Sequence, residues 1–168
     1  LAPALALAQA YPAKPIRVVV PFPPGGVDVT FRLMQQVMTE DLGQPLVIDN
    51  RAGANGYIGT ENVAKSAPDG YSLLATSVAV VAGPPVAKAP YDPVKDLTAI
   101  TEMITTVGVL VAKNSLPVAT VRELIDYAKK NPGKLSYGSS GVGSAQHIDG
   151  EYFKLLTGTD IVPVPYKG

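Results

Sequence analysis

The sequence predicts an α/β fold in which a parallel or mixed sheet carries helices on both faces. Three observations predict it: short β-branched runs recur along the chain, Gly-rich or Ser-rich turns follow several of them, and segments with helical periodicity follow those turns. Strands that alternate with helices favour parallel pairing, with right-handed crossovers that pack the helices onto the sheet. With 168 residues the chain has room for one domain, or for one domain and part of a second.

The first strand, turn and helix occupy residues 16–42. Residues 16–20 form an apolar, β-branched run, and the Pro- and Gly-rich stretch 21–26 follows at once. A helix is predicted next, because apolar residues recur at helical spacing before a Gly and a Pro that end it. The stripe consists of Leu33, Val37, Met38 and Leu42, and the terminators are Gly43 and Pro45.

The same order repeats in residues 46–75. A strand is predicted at 46–48, a turn at 53–56 and a short helix at 57–66, and a third strand follows at 71–75. Residues 77–93 are rich in Ala, Val, Gly and Pro, so they are predicted to form loops and turns with at most one short helix.

Residues 99–104 and 107–112 are predicted strands, and a second βα series follows them. Thr120 and Glu123 have the spacing of a capping box and start a helix that runs to Lys130. The remaining predicted elements are a strand at 135–137, a Gly/Ser turn at 138–143, a helix at 144–156 and a strand at 161–164.

Two βα series predict two lobes, 11–105 and 106–168. The second has too few elements to enclose a core of its own. We therefore expect either a truncated gene product or a partner chain that covers the exposed face.

Charge and composition exclude several classes of function. Lys plus Arg and Asp plus Glu number 14 each, without the basic stripe of a nucleic-acid binder. The chain has no Cys and a single His, His147, which excludes disulfides and thiol catalysis and disfavours a transition-metal site. Gly25 and Gly26 lack dinucleotide-binding spacing and no G-K-[ST] motif occurs, so we expect no cofactor.

The first ten residues are apolar and Ala-rich. They end in Ala8-Gln9-Ala10, the small-x-small pattern that a signal peptidase accepts, so residues 1–10 are predicted to be the remnant of a signal peptide and Tyr11 the first mature residue. The alternative is a frayed N-terminal helix. Ten apolar residues are too few to span a bilayer, which needs about 20. We expect an exported, soluble protein outside the cytoplasm.

Three turns combine features of a ligand site. Residues 23–28, 53–56 and 139–144 each lie after a predicted strand and before a predicted helix. Ligands of open parallel sheets bind beyond the carboxyl ends of strands, and the unpaired N–H groups of a helix start attract anions. The turns therefore predict a site for a small carboxylate-bearing molecule. Alternatively, Gly and Ser there only make tight turns and cap helices.

An enzyme is a competing interpretation. Ser144 and His147 are three residues apart on a predicted helix, a spacing that suits a nucleophile and a base. No G-x-S-x-G elbow surrounds the serine, and Asp149 is not placed to orient the imidazole. We therefore predict a binding protein without catalytic activity.

Seven motifs are distinctive when they are taken together: Tyr11-Pro-Ala-Lys-Pro-Ile-Arg17, Pro21-Phe-Pro-Pro-Gly-Gly26, Asn50-Arg51, Gly53-Ala-Asn-Gly-Tyr-Ile-Gly59, Ala67-Pro-Asp-Gly-Tyr71, Pro90-Tyr-Asp-Pro-Val-Lys-Asp96 and Val164-Pro-Tyr-Lys-Gly168. They resemble the Bug/TctC family, whose members are periplasmic solute receptors of tripartite tricarboxylate transporters, and the resemblance implies a periplasmic location. The resemblance implies a periplasmic-binding-protein-like fold of two lobes that closes on an organic acid or amino acid, and partner permease subunits in the membrane. Because family members continue beyond the last motif, it also implies a C-terminally truncated relative. The alternative is an interaction or sensor module that dimerises to complete its second lobe and delivers no solute.

Within this family, carboxylates are often held by backbone N–H groups, hydroxyls and waters rather than by an arginine clamp. Arg51 is expected to be structural, because an Arg this close to a Gly turn can cap carbonyls as readily as bind a ligand. Only Val27 separates Gly26 from Asp28, where the family usually has two residues. The expected ligand-binding residues are Phe22, Pro23, Pro24, Gly25, Gly26, Asp28, Asn55, Gly56, Tyr57, Ile58, Thr76, Ser77, Ser139, Ser140, Gly143, Ser144 and His147.

Overall fold

The structure is a computed structural model that describes residues 11–85 and 88–166. It divides into two compact units, one ending at Val80 and the other beginning at Val81. The predicted signal-peptide remnant lies outside the described residues, as do the last two residues of the Tyr-Lys-Gly motif. The expected lobe boundary between residues 105 and 106 remains a prediction.

The first unit is built on a parallel sheet of three strands in the order β2-β1-β3. These are β1 (Ile16–Val20), β2 (Leu46–Asn50) and β3 (Ser72–Leu74). In the centre, Val18 pairs with Ile48 on one side and with Leu73 on the other, and its side chain is fully buried. The β-branched run of β1 therefore forms the core of this unit, as expected for a strand flanked on both sides.

Helix α1 (Gly26–Leu42) follows β1 and ends at Gly43, whose left-handed φ of 64° stops the helix as predicted. The predicted apolar stripe is not buried, however. Leu33 and Val37 are 78% and 60% exposed, whereas Phe31, outside the stripe, is buried. Helical periodicity identified the helix correctly but not the face that packs on the sheet.

Helix α2 (Tyr57–Ala64) follows β2 through a single 3-10 turn, Ala54–Gly56. It comes very close to the segment after β1 at Gly59, where a Cβ would lie 2.8 Å from both the Arg51 carbonyl oxygen and the Pro21 Cβ. Only glycine allows this approach, which brings the turns after β1 and β2 together. The short helix α3 (Ala79–Ala82) lies in the stretch predicted to hold at most one helix.

The second unit contains α4 (Val121–Lys130), β4 (Leu135–Ser139), α5 (Ala145–Thr157) and β5 (Ile161–Pro165). β4 and β5 pair in parallel. The predicted cap of α4 is present, since the Thr120 hydroxyl accepts the Glu123 N–H at 3.2 Å. The Glu123 carboxylate in turn accepts the Ala119 N–H at 2.6 Å, one residue earlier than in a standard capping box.

The predicted strands at 99–104 and 107–112 are wrong, because these residues form no regular secondary structure. An apolar, β-branched stretch becomes a strand only when a neighbouring strand accepts its backbone hydrogen bonds. Within the described residues no strand pairs with either stretch. Among the helices the structure describes, none is long and apolar enough to cross a membrane.

Candidate functional site

The predicted ligand-binding residues of the first unit lie at one edge of its sheet. Because β1, β2 and β3 are parallel, their carboxyl ends share that edge. The stretch 22–26 follows β1, the turn 55–58 follows β2, and residues 76–77 follow β3. The fold thus brings three sequence-distant segments to the position where open parallel sheets bind ligands.

The turns after β1 and β2 touch through Phe22 and Gly56. A Cβ on Gly56 would lie 3.2 Å from Cζ of the Phe22 ring, and the φ of Gly56 is 88°. Both the contact and the left-handed backbone favour glycine here. Ala54 and Asn55 have φ values of 47° and 55°, so consecutive residues of this turn are left-handed.

Further contacts fix the ends of this turn. The Gly56 N–H donates to the Gly53 carbonyl at 3.0 Å, and the buried Thr60 hydroxyl donates to the Gly56 carbonyl at 2.8 Å. Tyr57 is buried, which raises the pKa of its phenol, whereas Ile58 is exposed. Of these two residues, only Ile58 has a solvent-exposed side chain.

Helix α1 begins without a side-chain cap. Gly25 and Gly26 have φ values of 142° and 28°, and the N-cap residue, Gly25, supplies no side chain to bond the first amides of the helix. Pro23 and Pro24 are exposed just before it. This 17-residue helix therefore presents backbone N–H groups and the positive end of its dipole at the sheet edge.

Asp28 is buried and its carboxylate is fully engaged within the protein. Arg32 Nε donates to its two oxygens at 3.1 and 3.0 Å, and Asn50 Nδ2 donates to Oδ1 at 3.1 Å. Hydrogen bonding from Arg32 is the main cause that lowers the pKa of Asp28, and Asn50 and the Gly25 amide add to it. Asn50 Nδ2 also donates to the Phe22 carbonyl at 3.2 Å. These contacts support a role in holding the loop after β1, and the negative charge would repel a carboxylate ligand.

Two hydroxyls at strand ends are buried without a partner. The Thr76 hydroxyl follows β3, and the Ser139 hydroxyl ends β4 in the second unit. Neither has a hydrogen-bond partner among the described residues, and Ser139 is only 5% exposed. Ser77, beside Thr76, uses its carbonyl to accept the Val80 N–H at 3.2 Å. A buried, unpaired hydroxyl costs stability, so each of these two groups would gain from a hydrogen-bond partner.

The other predicted residues of the second unit surround the start of α5. The Ser144 hydroxyl caps the helix by accepting the His147 N–H at 3.3 Å. The Ser140 hydroxyl donates to Gln146 Oε1 at 2.9 Å. The Gly143 N–H donates to Nδ1 of the His147 ring at 3.4 Å. Ser144 therefore bonds the backbone amide of His147 rather than its imidazole, which is not the arrangement of a nucleophile and its base.

Tyr137 belongs to a network that the sequence analysis missed. Its hydroxyl lies 2.9 Å from Glu151 Oε1 and 3.2 Å from the His147 carbonyl oxygen, and Lys154 Nζ donates to Glu151 Oε1 at 2.8 Å. Gly150 makes room for the ring, since a Cβ there would lie 2.8 Å from the Tyr137 hydroxyl oxygen. The spacing of His147, Glu151 and Lys154 on one helical face was the available signal.

Arg32 and Asn50 were also missed, because their partner Asp28 was interpreted as a ligand contact. Arg51 Nε donates to Asp49 Oδ2 at 2.8 Å, and the Arg51 backbone N–H donates to the Val20 carbonyl at 2.8 Å. These contacts favour the structural role expected of Arg51, which remains a prediction. Two depressions contain none of the predicted ligand-binding residues; one is lined by residues from 81–85 and 88–94, and the other by residues from 110–124.

Comparison with known proteins adds independent evidence. Residues 30–168 match the sequence model of the tripartite tricarboxylate transporter family receptor, TctC. Protein BugT of Bordetella pertussis is 41% identical over 165 residues, which cover 96% of this chain and 51% of that protein.

Two solved structures are similar in fold. R. palustris Rpa4515, solved with adipate, is 37% identical with a TM-score of 0.76, and the match covers 94% of this chain and 54% of that one. The periplasmic binding protein BugD is 35% identical with a TM-score of 0.72, over 94% and 54% of the two chains. The predicted periplasmic-binding-protein-like α/β fold is thereby confirmed. The chain spans about half the length of the relatives that it matches.

Proposed function

The chain belongs to the tripartite tricarboxylate transporter receptor family, and from this premise we propose that it is an extracytoplasmic solute-binding protein for a small carboxylate-bearing molecule. In this role it acts in the periplasm and hands its ligand to the membrane permease subunits of such a transporter. It binds without catalysis and without a cofactor.

The observation that carries the proposal is the pair of buried, unpartnered hydroxyls at Thr76 and Ser139. Both were expected to bind ligand, and each stands at the carboxyl end of a parallel strand. A carboxylate oxygen accepts hydrogen bonds from hydroxyls and would satisfy such groups. The uncapped start of α1 adds backbone donors suited to a negative charge.

Charge supports the same ligand class. Asp28 is the one acidic residue among the residues that the sequence predicted to bind ligand, and its carboxylate is bonded to Arg32 and Asn50, so we exclude it from the proposed ligand contacts. In Rpa4515, the relative solved with adipate, a dicarboxylate is bound. We therefore propose a mono- or dicarboxylate, or an amino acid, held by backbone N–H groups and hydroxyls.

Thermal unfolding and titration calorimetry with a panel of organic acids and amino acids test the proposal. Adipate belongs in the panel, and 1,6-hexanediol is its matched control, because it keeps the carbon chain but lacks the carboxylates. A ligand that binds only the folded state raises Tm. At a ligand concentration one hundred times Kd it adds about 2.7 kcal/mol to the free energy of unfolding. We expect a shift with at least one acid and none with the diol. Absence of both a shift and binding heat at millimolar concentration with every acid would contradict the proposal.

A second candidate, of a different class, is an interaction or sensor module that forms a homodimer. It is favoured by the apolar side chains exposed on α5, where Leu155 and Leu156 are 77% and 67% exposed. Contiguous exposed apolar surface commonly marks an interface. Light scattering at micromolar concentration decides it: a dimer whose mass falls to the monomer in Leu155→Glu supports this candidate, and a monomeric wild type removes it.

A further inference from the structure

His147 is held at three of its atoms. Its N–H donates to the Ser144 hydroxyl at 3.3 Å, its carbonyl oxygen lies 3.2 Å from the Tyr137 hydroxyl, and its ring Nδ1 accepts the Gly143 N–H at 3.4 Å. The remaining ring nitrogen, Nε2, has no hydrogen bond within residues 11–85 and 88–166. The backbone and one edge of the imidazole are thus fixed, and the other edge is left for a further partner.

The contact at Nδ1 determines where the proton of the neutral ring lies. A neutral imidazole has one N–H donor and one unprotonated acceptor nitrogen. A nitrogen that accepts a backbone N–H must be the unprotonated one, so the proton resides on Nε2. The Nε2 atom is therefore a hydrogen-bond donor, which is the type of group that a carboxylate requires.

No hydrogen bond joins this donor to a charged side chain of the described residues. Glu151 lies one turn along α5, but its Oε1 accepts from Tyr137 and both its oxygens accept from Lys154 at 2.8 and 3.0 Å. Hydrogen bonding from Lys154 is the main cause that lowers the pKa of Glu151, although the charge of His147 also contributes to lowering it. Since Tyr137, Glu151 and Lys154 satisfy one another, the imidazole keeps its free edge.

We propose that the Gly143 amide selects the Nε2-protonated tautomer of His147, so that the imidazole donates to a carboxylate of the ligand. The inference rests on the proposed function and names one contact within that site. Gly143 is a positioning residue: its φ of 82° is a left-handed conformation that glycine adopts freely, and it turns the amide toward the start of α5.

The first half of the proposal is tested by NMR of the two ring nitrogens. His147 is the only histidine of the sequence, so protein labelled with ¹⁵N-histidine gives one pair of ring-nitrogen signals. At a pH where the ring is neutral, we expect the protonated nitrogen to be Nε2. A predominant Nδ1-protonated form, or an even mixture of both forms, overturns the role of Gly143.

Variants separate tautomer selection from general strain. Gly143→Ala is expected to shift the tautomer populations toward a mixture, because the strained turn moves the amide. Gly158→Ala is the matched control: it strains a left-handed glycine, with φ of 62°, at the other end of the same helix. If both variants fold and leave the tautomer unchanged, Gly143 does not select it.

The second half is tested by ligand affinity, with adipate or any acid that binds in the panel as the probe. His147→Gln keeps an amide donor near the position of Nε2, whereas His147→Asn places it nearer to that of Nδ1. We expect Kd to change by less than threefold in the Gln variant and to rise about tenfold in the Asn variant. Equal losses in both variants overturn the donor role. If no acid binds to the wild type, the proposed function and the donor role both fail, while the NMR result still decides the tautomer.

Discussion

Asn50 and Asp28 are joined by a hydrogen bond of 3.1 Å that connects the end of β2 with the first turn of α1. The same amide nitrogen donates to the Phe22 carbonyl, so one side chain fixes the loop between β1 and α1. If this loop contacts the ligand as we propose, it is already ordered before binding, which lowers the entropic cost of binding.

This network predicts a loss of stability in acid. The pKa of Asp28 is lower in the folded protein than in the unfolded chain, chiefly because Arg32 donates to it. Such a carboxyl stabilises the fold above its unfolded pKa of about 3.9, and the contribution is lost as pH falls through the folded pKa. Asp28→Asn should therefore unfold more easily near neutral pH and lose less stability on acidification than the wild type.

Urea unfolding between about pH 3 and pH 7 measures this difference. Asp41→Asn is the control, because it removes an exposed carboxylate near the other end of the same helix. Parallel stability curves for wild type and Asp28→Asn would show that the network contributes nothing.

Gly150 provides a prediction about packing in the second unit. In Gly150→Ala the new Cβ would overlap the Tyr137 ring, so we expect destabilisation of about 1–3 kcal/mol, the usual range for overpacking. Gly138→Ala is the matched control, since its Cβ would lie 3.4 Å from the Tyr166 ring, an ordinary contact. Chemical denaturation compares the two. In a Tyr137→Leu background, Gly150→Ala should cost less, and an equal cost would mean that the ring is not the cause.

The phenol of Tyr137 should ionise at a higher pH than that of an ordinary tyrosine. Burial, helped by the hydrogen bond to Glu151, raises the pKa of Tyr137 to about 12. A phenol whose folded pKa is raised above its unfolded value of about 10 stabilises the fold fully below that value, and the contribution is lost as pH rises toward the folded pKa.

An ultraviolet titration of phenolate absorbance, compared between wild type and Tyr137→Phe, checks this. The difference curve should show one tyrosine that ionises near its raised pKa of about 12 rather than at its ordinary pKa, and wild-type stability should fall more steeply in alkali than that of the variant. A difference curve centred at the ordinary value would contradict the burial of this hydroxyl.

The two unpartnered hydroxyls predict that stability and affinity change in opposite directions. Thr76→Val and Ser139→Ala remove groups that are buried without a hydrogen bond, so Tm should stay constant or rise. If these hydroxyls serve the ligand, each change should weaken binding about tenfold. Calorimetry with a binding acid measures the loss, and Ser136→Ala, exposed on the same strand as Ser139, is the control. Unchanged affinity in both variants would remove them from the site.

Local sequence chemistry predicted most elements of both units. The β-branched run at 16–20, the glycine that ends α1 and the Thr120 cap of α4 act through neighbouring residues along the chain, so composition and spacing revealed them. The turns after β1, β2 and β4 were located for the same reason, because glycine and serine mark sharp turns between a strand and a helix.

The sequence by itself determined the strands, helices and turns that short-range preferences specify, together with the family resemblance that its motifs carry. Tertiary structure determined which side chains form hydrogen bonds or pack against one another. It engaged Asp28 with Arg32 and Asn50, left the hydroxyls of Thr76 and Ser139 unpaired, and placed the Tyr137 ring over Gly150. Residues 99–112 form no strand, because a strand needs a neighbouring strand for its backbone hydrogen bonds, and composition alone does not provide one. Long-range contacts such as these depend on which elements the fold brings side by side, and periodicity along the chain does not encode that choice.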